Sequence, residues 1–338
     1  MGYRIGAATW EMIHDRSALL HVISSRPDTI SDMQALDGWL KAVRADGLVL
    51  VRTRVAGPWG FAVPPRDAVV FHFVAEGRAF VRQPDAENLE LRAGEMVLFP
   101  RGSTHELAHS MRGKTMPPEA FLAKRDGVVD QDPEATTLVC GEFSIDRQLA
   151  LPALRALPKA VSLRAGVEPG SSALSDTLRL LRNEVETPNF GNRIIVRNLL
   201  SSLFIYFMRD WAVATSPTAG DWFSAVRSPH VARALACMHE APGHAWTLEQ
   251  LAKKAGMSRA AFARNFSASI GEPPHAYLTR WRMGIAAQLL KETDLHLVEV
   301  ASRVGYRSEF SFSRAFKLAR GVSPTHYRRA PERTTAAE

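Results

Sequence analysis

The spacing of apolar residues divides the chain into helical and strand-like stretches. Apolar residues recur at helical spacing from Asp28 to Val43 and predict an amphipathic helix, whereas residues 1–27 carry a weak pattern. From Leu48 to about Phe143 the period changes to that of short strands, interrupted by turn signals such as Glu76-Gly77 and Ala93-Gly94. Short strands at this spacing predict a small barrel or a double-sheet jelly roll.

Helical patterns return after the strands. Residues 144–170 are rich in Pro and Leu and are interpreted as connective, and helices are predicted from Ser172 to Glu186 and from Asn192 to Trp211. The stretch 111–134 holds prolines and charges with little periodicity and predicts a long loop. Five segments follow: an arm and helix (1–47), a barrel (48–150), a helical connector (151–213), a linker (214–220) and an all-α domain (221–331).

The all-α domain contains an internal repeat, which is read before other features. Ser258–Phe266 and Ser308–Phe316 both read S-x3-F-x-R-x-F, and each is followed by G-x2-P-x2-Y. Thr247 and Gln250 form a capping box before a short helix, and Gly256 supplies a sharp turn before the next one. The pattern is typical of two helix-turn-helix units.

The helical wheel separates an inward from an outward face on the second helix of each unit. The repeated Phe residues point inward, which leaves an outward stripe free to enter a major groove. Arg264 and Arg314 are the expected base readers, since Arg pairs with guanine O6 and N7; phosphate contact alone is the alternative. Phe310 is interpreted either as a contact to a methyl group or as core. The candidate DNA-binding residues are Arg259, Ala260, Ala263, Arg264, Arg282, Glu309, Phe310, Ser313, Arg314 and Lys317.

Charge supports this assignment. The chain of 338 residues has a net charge of +7, yet residues 225–338 hold 17 Lys and Arg against 9 Asp and Glu, leaving 25 against 26 elsewhere. An excess of positive charge confined to the repeat is expected of a domain that neutralises phosphates. A basic, solvated face is the competing interpretation.

The repeat, the Gly turns and the G-x2-P-x2-Y tails resemble the DNA-binding domain of the AraC/XylS family of bacterial transcription regulators. The resemblance covers about residues 230–330 and implies two helix-turn-helix units joined by a long helix, here Pro274 to Leu290. It also implies a homodimer formed through the helices after the barrel, although these helices could instead simply cover one face of the barrel. RNA polymerase is a further partner that the resemblance allows.

Gly94-x5-Pro100-x-Gly102-x2-His105 is similar to the second motif of the cupin family. Of the first motif, His72 and Glu76 are present, while Val70 stands where the first His would be. The resemblance implies a cupin fold over about residues 48–143. An effector site is expected at His72, Glu76 and His105. Since one metal ligand is missing, an organic effector is expected in place of metal, and no cofactor is expected.

These observations predict an α+β protein that binds double-stranded DNA and senses a small molecule, rather than an enzyme. The alternatives are a metal-dependent cupin enzyme and a DNA-binding protein whose barrel only dimerises. Cys140 and Cys237 are far apart and form no C-x-x-C pair, which indicates a reducing cytoplasm. Cys140 could act as a sensor thiol or be an inert buried side chain.

Overall fold

A computed structural model describes residues 30–43, 45–84, 86–123, 134–163, 173–214 and 221–330. Contacts among these residues divide them into two compact units. One comprises Ala45–Ile145 and Leu157–Asp210, and the other comprises the described residues of Ser25–Arg44, Asp146–Ala156 and Trp211–Glu338.

The first unit is built on two antiparallel sheets. One has five strands in the order β1-β8-β3-β6-β9, and the other has four in the order β2-β7-β4-β5. The strands are β1 (Asp46–Val55), β2 (Gly60–Val63), β3 (Val69–Glu76), β4 (Arg78–Gln83), β5 (Ala86–Arg92), β6 (Glu95–Phe99), β7 (His105–Ala108), β8 (Thr136–Ser144) and β9 (Val161–Leu163). Of the two architectures that the sequence left open, the structure has the double-sheet jelly roll.

Strand β3 shows why the central strands are apolar on both faces. Val70, His72 and Val74 alternate with Phe71 and Phe73, and all five side chains are buried. The Phe71 face meets Phe143 on β8 with 5.2 Å between ring centroids, and Phe143 meets Phe204 at 5.1 Å. Phe204 lies on a helix, so helices cover one face of the five-stranded sheet while the other faces the second sheet.

The helices of this unit are α2 (Pro118–Ala123), α4 (Ala173–Glu186) and α5 (Asn192–Ala214), and the last residues of α5, from Trp211 on, are assigned to the second unit. The two predicted connector helices are therefore confirmed. Helix α2 lies inside the stretch expected to be a loop, and residues 124–133 of that stretch fall outside the described residues. Strands β2, β7 and β9 were not predicted, because three or four residues are too few to establish a period of two.

The second unit is helical. Its elements are α1 (Ile30–Val43), α3 (Arg147–Ala156), α6 (Trp222–Arg227), α7 (Pro229–Glu240), α8 (Leu248–Lys254), α9 (Arg259–Ile270), α10 (Pro274–Glu292), α11 (Leu297–Arg303), α12 (Glu309–Arg320) and α13 (Pro324–Arg329). Helix α3 falls in residues expected to be connective. Pro152 lies inside it and obscures the helical pattern of its buried residues.

Helices α1 and α3, which precede β1 and follow β8 in sequence, pack within this helical unit. Trp39 on α1 lies with its ring centroid 4.7 Å from that of Trp222, and its Nε1 donates to the Leu149 carbonyl at 3.1 Å. Asp146, immediately before α3, pairs with Arg320 at 2.6 Å. The compact units therefore divide the chain differently from the predicted boundaries at 47/48 and 150/151, because sequence spacing does not reveal which core buries a helix. The predicted linker 214–220 lies almost entirely outside the described residues.

Among the helices of the described residues, none is long and apolar enough to cross a membrane.

Candidate DNA-binding surface and ligand site

The helix caps and the turns of the helix-turn-helix units are formed by residues that the sequence identifies. Thr247 Oγ1 accepts from the Gln250 amide at 3.2 Å, and the Gln250 side chain accepts from the Thr247 amide at 2.9 Å, which is the predicted capping box. The turns contain Gly256 and Gly305, with φ of 66° and 82°, a left-handed conformation that favours glycine. Ser258 and Ser308 then cap α9 and α12 by accepting from the amides of Ala261 and Ser311.

The repeated G-x2-P-x2-Y tail has a packing role. Tyr277 meets Phe266 edge-on at 5.6 Å, and Tyr327 meets Phe316 edge-on at 5.4 Å. Edge-to-face contacts at this distance are favourable beyond the area that they bury. The inward Phe of each recognition helix is thus fixed from the following helix, which holds the outward face in position.

The outward faces of α9 and α12 carry the predicted side chains. Arg264 and Arg314 are exposed, and neither has an ion-pair or hydrogen-bond partner among the described residues. Two free guanidinium groups in equivalent places are available to read bases or phosphates. Also exposed are Ala260, Glu309, Phe310 and Lys317, and half-buried are Ala263 and Ser313.

Phe310 is 80% exposed, which excludes the core alternative for this residue. Leu318, one turn after Arg314 on the same helix, is 89% exposed and was not singled out from the sequence. Leu318 lies near the C-terminal end of α12, away from the first turn that holds Phe310.

Arg282, one of the candidate DNA-binding residues, is engaged inside the domain. Its guanidinium is half-buried and donates to the carbonyls of Pro242 at 2.7 Å and His244 at 2.8 Å. Burial lowers the pKa of Arg282. Arg282 therefore ties a loop to the long helix α10. Arg280 is likewise engaged, with Glu272 at 2.6 Å, and exposed Arg259 pairs with Glu249 at 2.8 Å.

Between the two sheets of the first unit lies a pair of buried imidazoles. His72 on β3 and His105 on β7 come from opposite sheets, and their Nε2 atoms are 2.7 Å apart. The His105 ring also stacks on Phe99 with 3.6 Å between centroids. The surrounding side chains are apolar and buried: Val55, Phe61, Val70, Val74, Val97, Leu107 and Leu138 are among them.

The hydrogen bonds determine the tautomer of each ring. His105 Nδ1 lies 2.6 Å from the Ser103 carbonyl, which can only accept, so His105 carries its proton on Nδ1 and accepts on Nε2. His72 must then donate from Nε2. Its Nδ1 is left as a buried acceptor with no hydrogen-bond partner among the described residues. An unpaired buried acceptor is costly and is the polar group that a ligand could satisfy.

Burial keeps both rings neutral. Burial, with the neighbouring His105, holds the pKa of His72 well below its usual value. Burial lowers the pKa of His105 to about 4, against a smaller rise from the Ser103 carbonyl.

Glu76 does not join the two histidines. At the end of β3 it pairs with Arg54 and accepts from Thr137 Oγ1 at 2.8 Å. The Arg54 guanidinium therefore holds the Glu76 carboxylate, and an effector contact at Glu76 stays a prediction. Within the described residues, no cluster of three His, Cys, Asp or Glu side chains could hold a metal ion.

Cys140 pairs directly with His72 in the β3–β8 ladder and is buried. Burial raises the pKa of the Cys140 thiol to about 12. A thiol that stays protonated near neutral pH is a poor nucleophile, which favours the inert reading of this cysteine.

A separate groove of ≈ 450 Å³ lies in the helical unit, between α1, α7 and α10. His239 and Trp281 form part of its wall. Both nitrogens of His239 have partners, since Nδ1 lies 3.1 Å from the Ala35 carbonyl and Nε2 lies 2.7 Å from Tyr277 Oη. Trp281 Nε1, in contrast, is buried without a hydrogen-bond partner among the described residues, so this groove also carries one unmet polar group.

Comparisons with known proteins identify two families along the chain. A family model described as Cupin matches residues 34–213, and one described as Helix-turn-helix domain matches residues 251–330. The HTH-type transcriptional regulator AlkR of Acinetobacter baylyi is 31% identical over 81% of this chain and 92% of its own length. The RCS-specific HTH-type transcriptional activator RclR of Escherichia coli is 32% identical over 76% of this chain and 83% of its own length.

Among solved structures, the C-terminal domain of AraT, a response regulator from Geobacillus stearothermophilus, is 37% identical. The match covers 33% of this chain and 94% of the AraT domain, with a TM-score of 0.30. AlkR and RclR are both transcription regulators, and each alignment covers more than three quarters of this chain. The chain therefore belongs to the AraC family of DNA-binding transcription regulators, with a cupin domain preceding the helix-turn-helix domain.

Proposed function

We propose that this regulator reads its operator through Arg264 and Arg314, and that an organic effector bound beside His72 changes its affinity for DNA. The observation that supports base reading is the pair of exposed, unpartnered guanidinium groups at equivalent places on α9 and α12. Side chains near the start of a recognition helix reach base edges when that helix enters a major groove. Both helices are expected to enter successive major grooves about 34 Å apart on one side of the duplex.

Substitution of each guanidinium tests the base-reading role. Arg264→Ala and Arg314→Ala should each weaken binding to the selected operator by about 1–3 kcal/mol and relax the preference at one base pair. The measurement is selection from random DNA followed by titration with selected and scrambled duplexes. Arg259→Ala is the matched control, since this exposed Arg on α9 pairs with Glu249 and should weaken all sequences alike.

Equal losses on selected and scrambled DNA for both Arg264→Ala and Arg314→Ala would exclude base reading and leave only phosphate contact. The operator preference would then have to come from DNA shape.

The proposed effector site rests on the unpartnered Nδ1 of His72 within an apolar interior. An apolar surround with one unmet acceptor suits a small organic molecule with a hydrogen-bond donor, such as a hydroxyl or an amide N–H. His105 fixes the tautomer that presents this acceptor. Binding there alters DNA affinity only if the effector prefers one of two states of the protein.

Mass spectrometry of small molecules that co-purify with the protein tests this site. The expected result is an organic molecule that is retained by the wild type and by a His109→Phe control, but is lost from His72→Phe. That variant fills the space of the ring and removes the acceptor. Stoichiometric metal in the wild type, lost in the His72 and His105 variants, would contradict an organic effector.

We further infer that a second copy of the chain covers the outer face of α5. Ile194 is 67% exposed and Ile205 is 42% exposed, and they lie three turns apart on one face of this helix. Exposed apolar residues aligned in this way are typical of an interface, and a two-fold axis would bring the same stripe of both copies together. A contact with RNA polymerase stays a prediction.

A further inference from the structure

The two recognition helices present different chemistry in the same register. Each residue of α9 has its counterpart 50 positions later on α12, so the outward faces can be compared place by place. Both carry Arg at the centre of the face. On either side of that Arg, α9 has Ala260 and Ala268, whereas α12 has Phe310 and Leu318.

Phe310 lies on the face of α12 opposite to its buried aromatics. Phe312 and Phe316 are fully buried, while Phe310 is 80% exposed. Phe310 is the second residue of the helix, which begins at Glu309 after the Ser308 cap. The first turn of a recognition helix is the part that approaches base edges most closely. The helix cap and the inward aromatics, rather than contacts of its own, hold the Phe310 ring in this exposed position.

The major groove offers one apolar group to such a ring. Of the four bases, only thymine presents a methyl group in the major groove. Phe is one of the side chains that contact this methyl group. Arg314 follows Phe310 by one helical turn, about 6 Å along the axis, which corresponds to about two base-pair steps of 3.4 Å.

We propose that Phe310 is a specificity-determining residue that reads the 5-methyl group of a thymine, within about two base pairs of the guanine read by Arg314. Glu309 precedes Phe310 and is exposed, so its carboxylate is available to accept from the N4 amino group of a cytosine. The half-site under α12 is therefore richer in specified positions than the one under α9, where small alanines leave Arg264 as the main reader. This inference rests on operator binding by the two recognition helices.

Replacement of thymine by deoxyuridine tests the inference, because it removes the methyl group and keeps base pairing. Each thymine of the operator selected by the wild type is replaced in turn, and the dissociation constant is measured for wild type, Phe310→Ala and Leu318→Ala. At one thymine of the α12 half-site, the wild type should lose about four-fold in affinity, which corresponds to the burial of one methyl-sized group.

Phe310→Ala should bind the thymine and deoxyuridine duplexes equally, and Leu318→Ala should keep the wild-type ratio. Leu318 is the matched control, since it is as exposed as Phe310 but lies in the last turns of α12. The readout is a ratio within one protein, so a partly unfolded sample does not alter it.

A ratio near one for the wild type at every thymine of the α12 half-site would overturn the proposal, as would a ratio that persists in Phe310→Ala. If guanine dependence on Arg314 persists in that case, only the role of Phe310 fails. If no sequence is selected at all, operator reading by both helices fails with it.

Discussion

At the scale of single residues, the protein separates groups that face outward for binding from groups that burial makes inert. Arg264 and Arg314 are exposed and have no partner within the described part of the chain, whereas Arg280 and Arg282 are engaged by a carboxylate and by carbonyls. The same residue type thus has a recognition role in one place and a structural role in another. Burial likewise separates Cys140, whose thiol stays protonated, from the reactive cysteines of redox sensors.

The buried histidine pair predicts acid sensitivity of the cupin domain. Its folded-state pKa values lie below the usual 6.5, with His105 at about 4, so the unfolded chain binds more protons below pH 6.5. Stability from His105 is therefore fully present above pH 6.5 and is lost as pH falls toward 4, which amounts to about 2 kcal/mol between pH 7.5 and 5.

Peptide-resolved hydrogen exchange at both pH values measures this loss for strands β3 and β7. His105→Gln should reduce the pH dependence, since it removes one titrating ring. The helical unit contains its own depressed histidine, His239, with a pKa of about 3, so its peptides must be scored separately. Equal pH dependence in wild type and His105→Gln would contradict the assignment.

At the scale of elements, helix α1 is part of the core of the helical unit. Trp39 is fully buried against Trp222 and is anchored to the Leu149 carbonyl. Gly38 on the same helix permits a close approach to His239, since a Cβ there would meet the His239 Cβ at 3.0 Å. Helix α3 adds the pairing of Asp146 with Arg320, both largely buried.

Truncation of Trp39 should therefore destabilise the helical unit, although Trp39 lies far in sequence from the other helices of this unit. Trp39→Ala is expected to cost about 3–5 kcal/mol, from lost burial and the resulting cavity. Hydrogen exchange in α7 and α10 should accelerate. Trp59→Ala is the matched control, because Trp59 belongs to the interior cluster of the first unit and should accelerate exchange in the sheets instead. Unchanged exchange in α7 and α10 would show that α1 contributes little to this core.

At the scale of the whole molecule, the inferred dimer would cover apolar residues that a single chain leaves exposed. Leu180, Phe190, Ile194, Ile195 and Ile205 are the large apolar residues left exposed on and between α4 and α5. Association would bury this surface, and specific interfaces bury about 800 Å² per partner.

Sedimentation velocity tests the dimer. The wild type is expected to sediment as a dimer at micromolar concentration, and Ile194→Glu with Ile205→Glu as a monomer, because two buried charges oppose association. Val298→Glu is the control, since Val298 is 56% exposed but lies on α11 in the other unit. A dimer that persists in the double variant would place the interface elsewhere.

The sequence by itself determined the features that depend on local periodicity and on repeated motifs. The duplicated helix-turn-helix units, their caps at Thr247, Ser258 and Ser308, and the outward stripes follow from spacing, because a helix fixes which residues share a face. The strands with clear alternation and the two helices after them were predicted for the same reason.

Only the tertiary structure decided which core each element joins and which polar groups meet. It placed α1 and α3 in the helical unit, brought His72 and His105 together from opposite sheets, and engaged Glu76 and Arg282 in structural contacts. Each of these features depends on contacts between residues distant in sequence, which local periodicity does not predict. The exposure of Phe310 was undecided for a related reason: an aromatic side chain stabilises a core or a binding surface equally well, and only the packing of the neighbouring helices shows which.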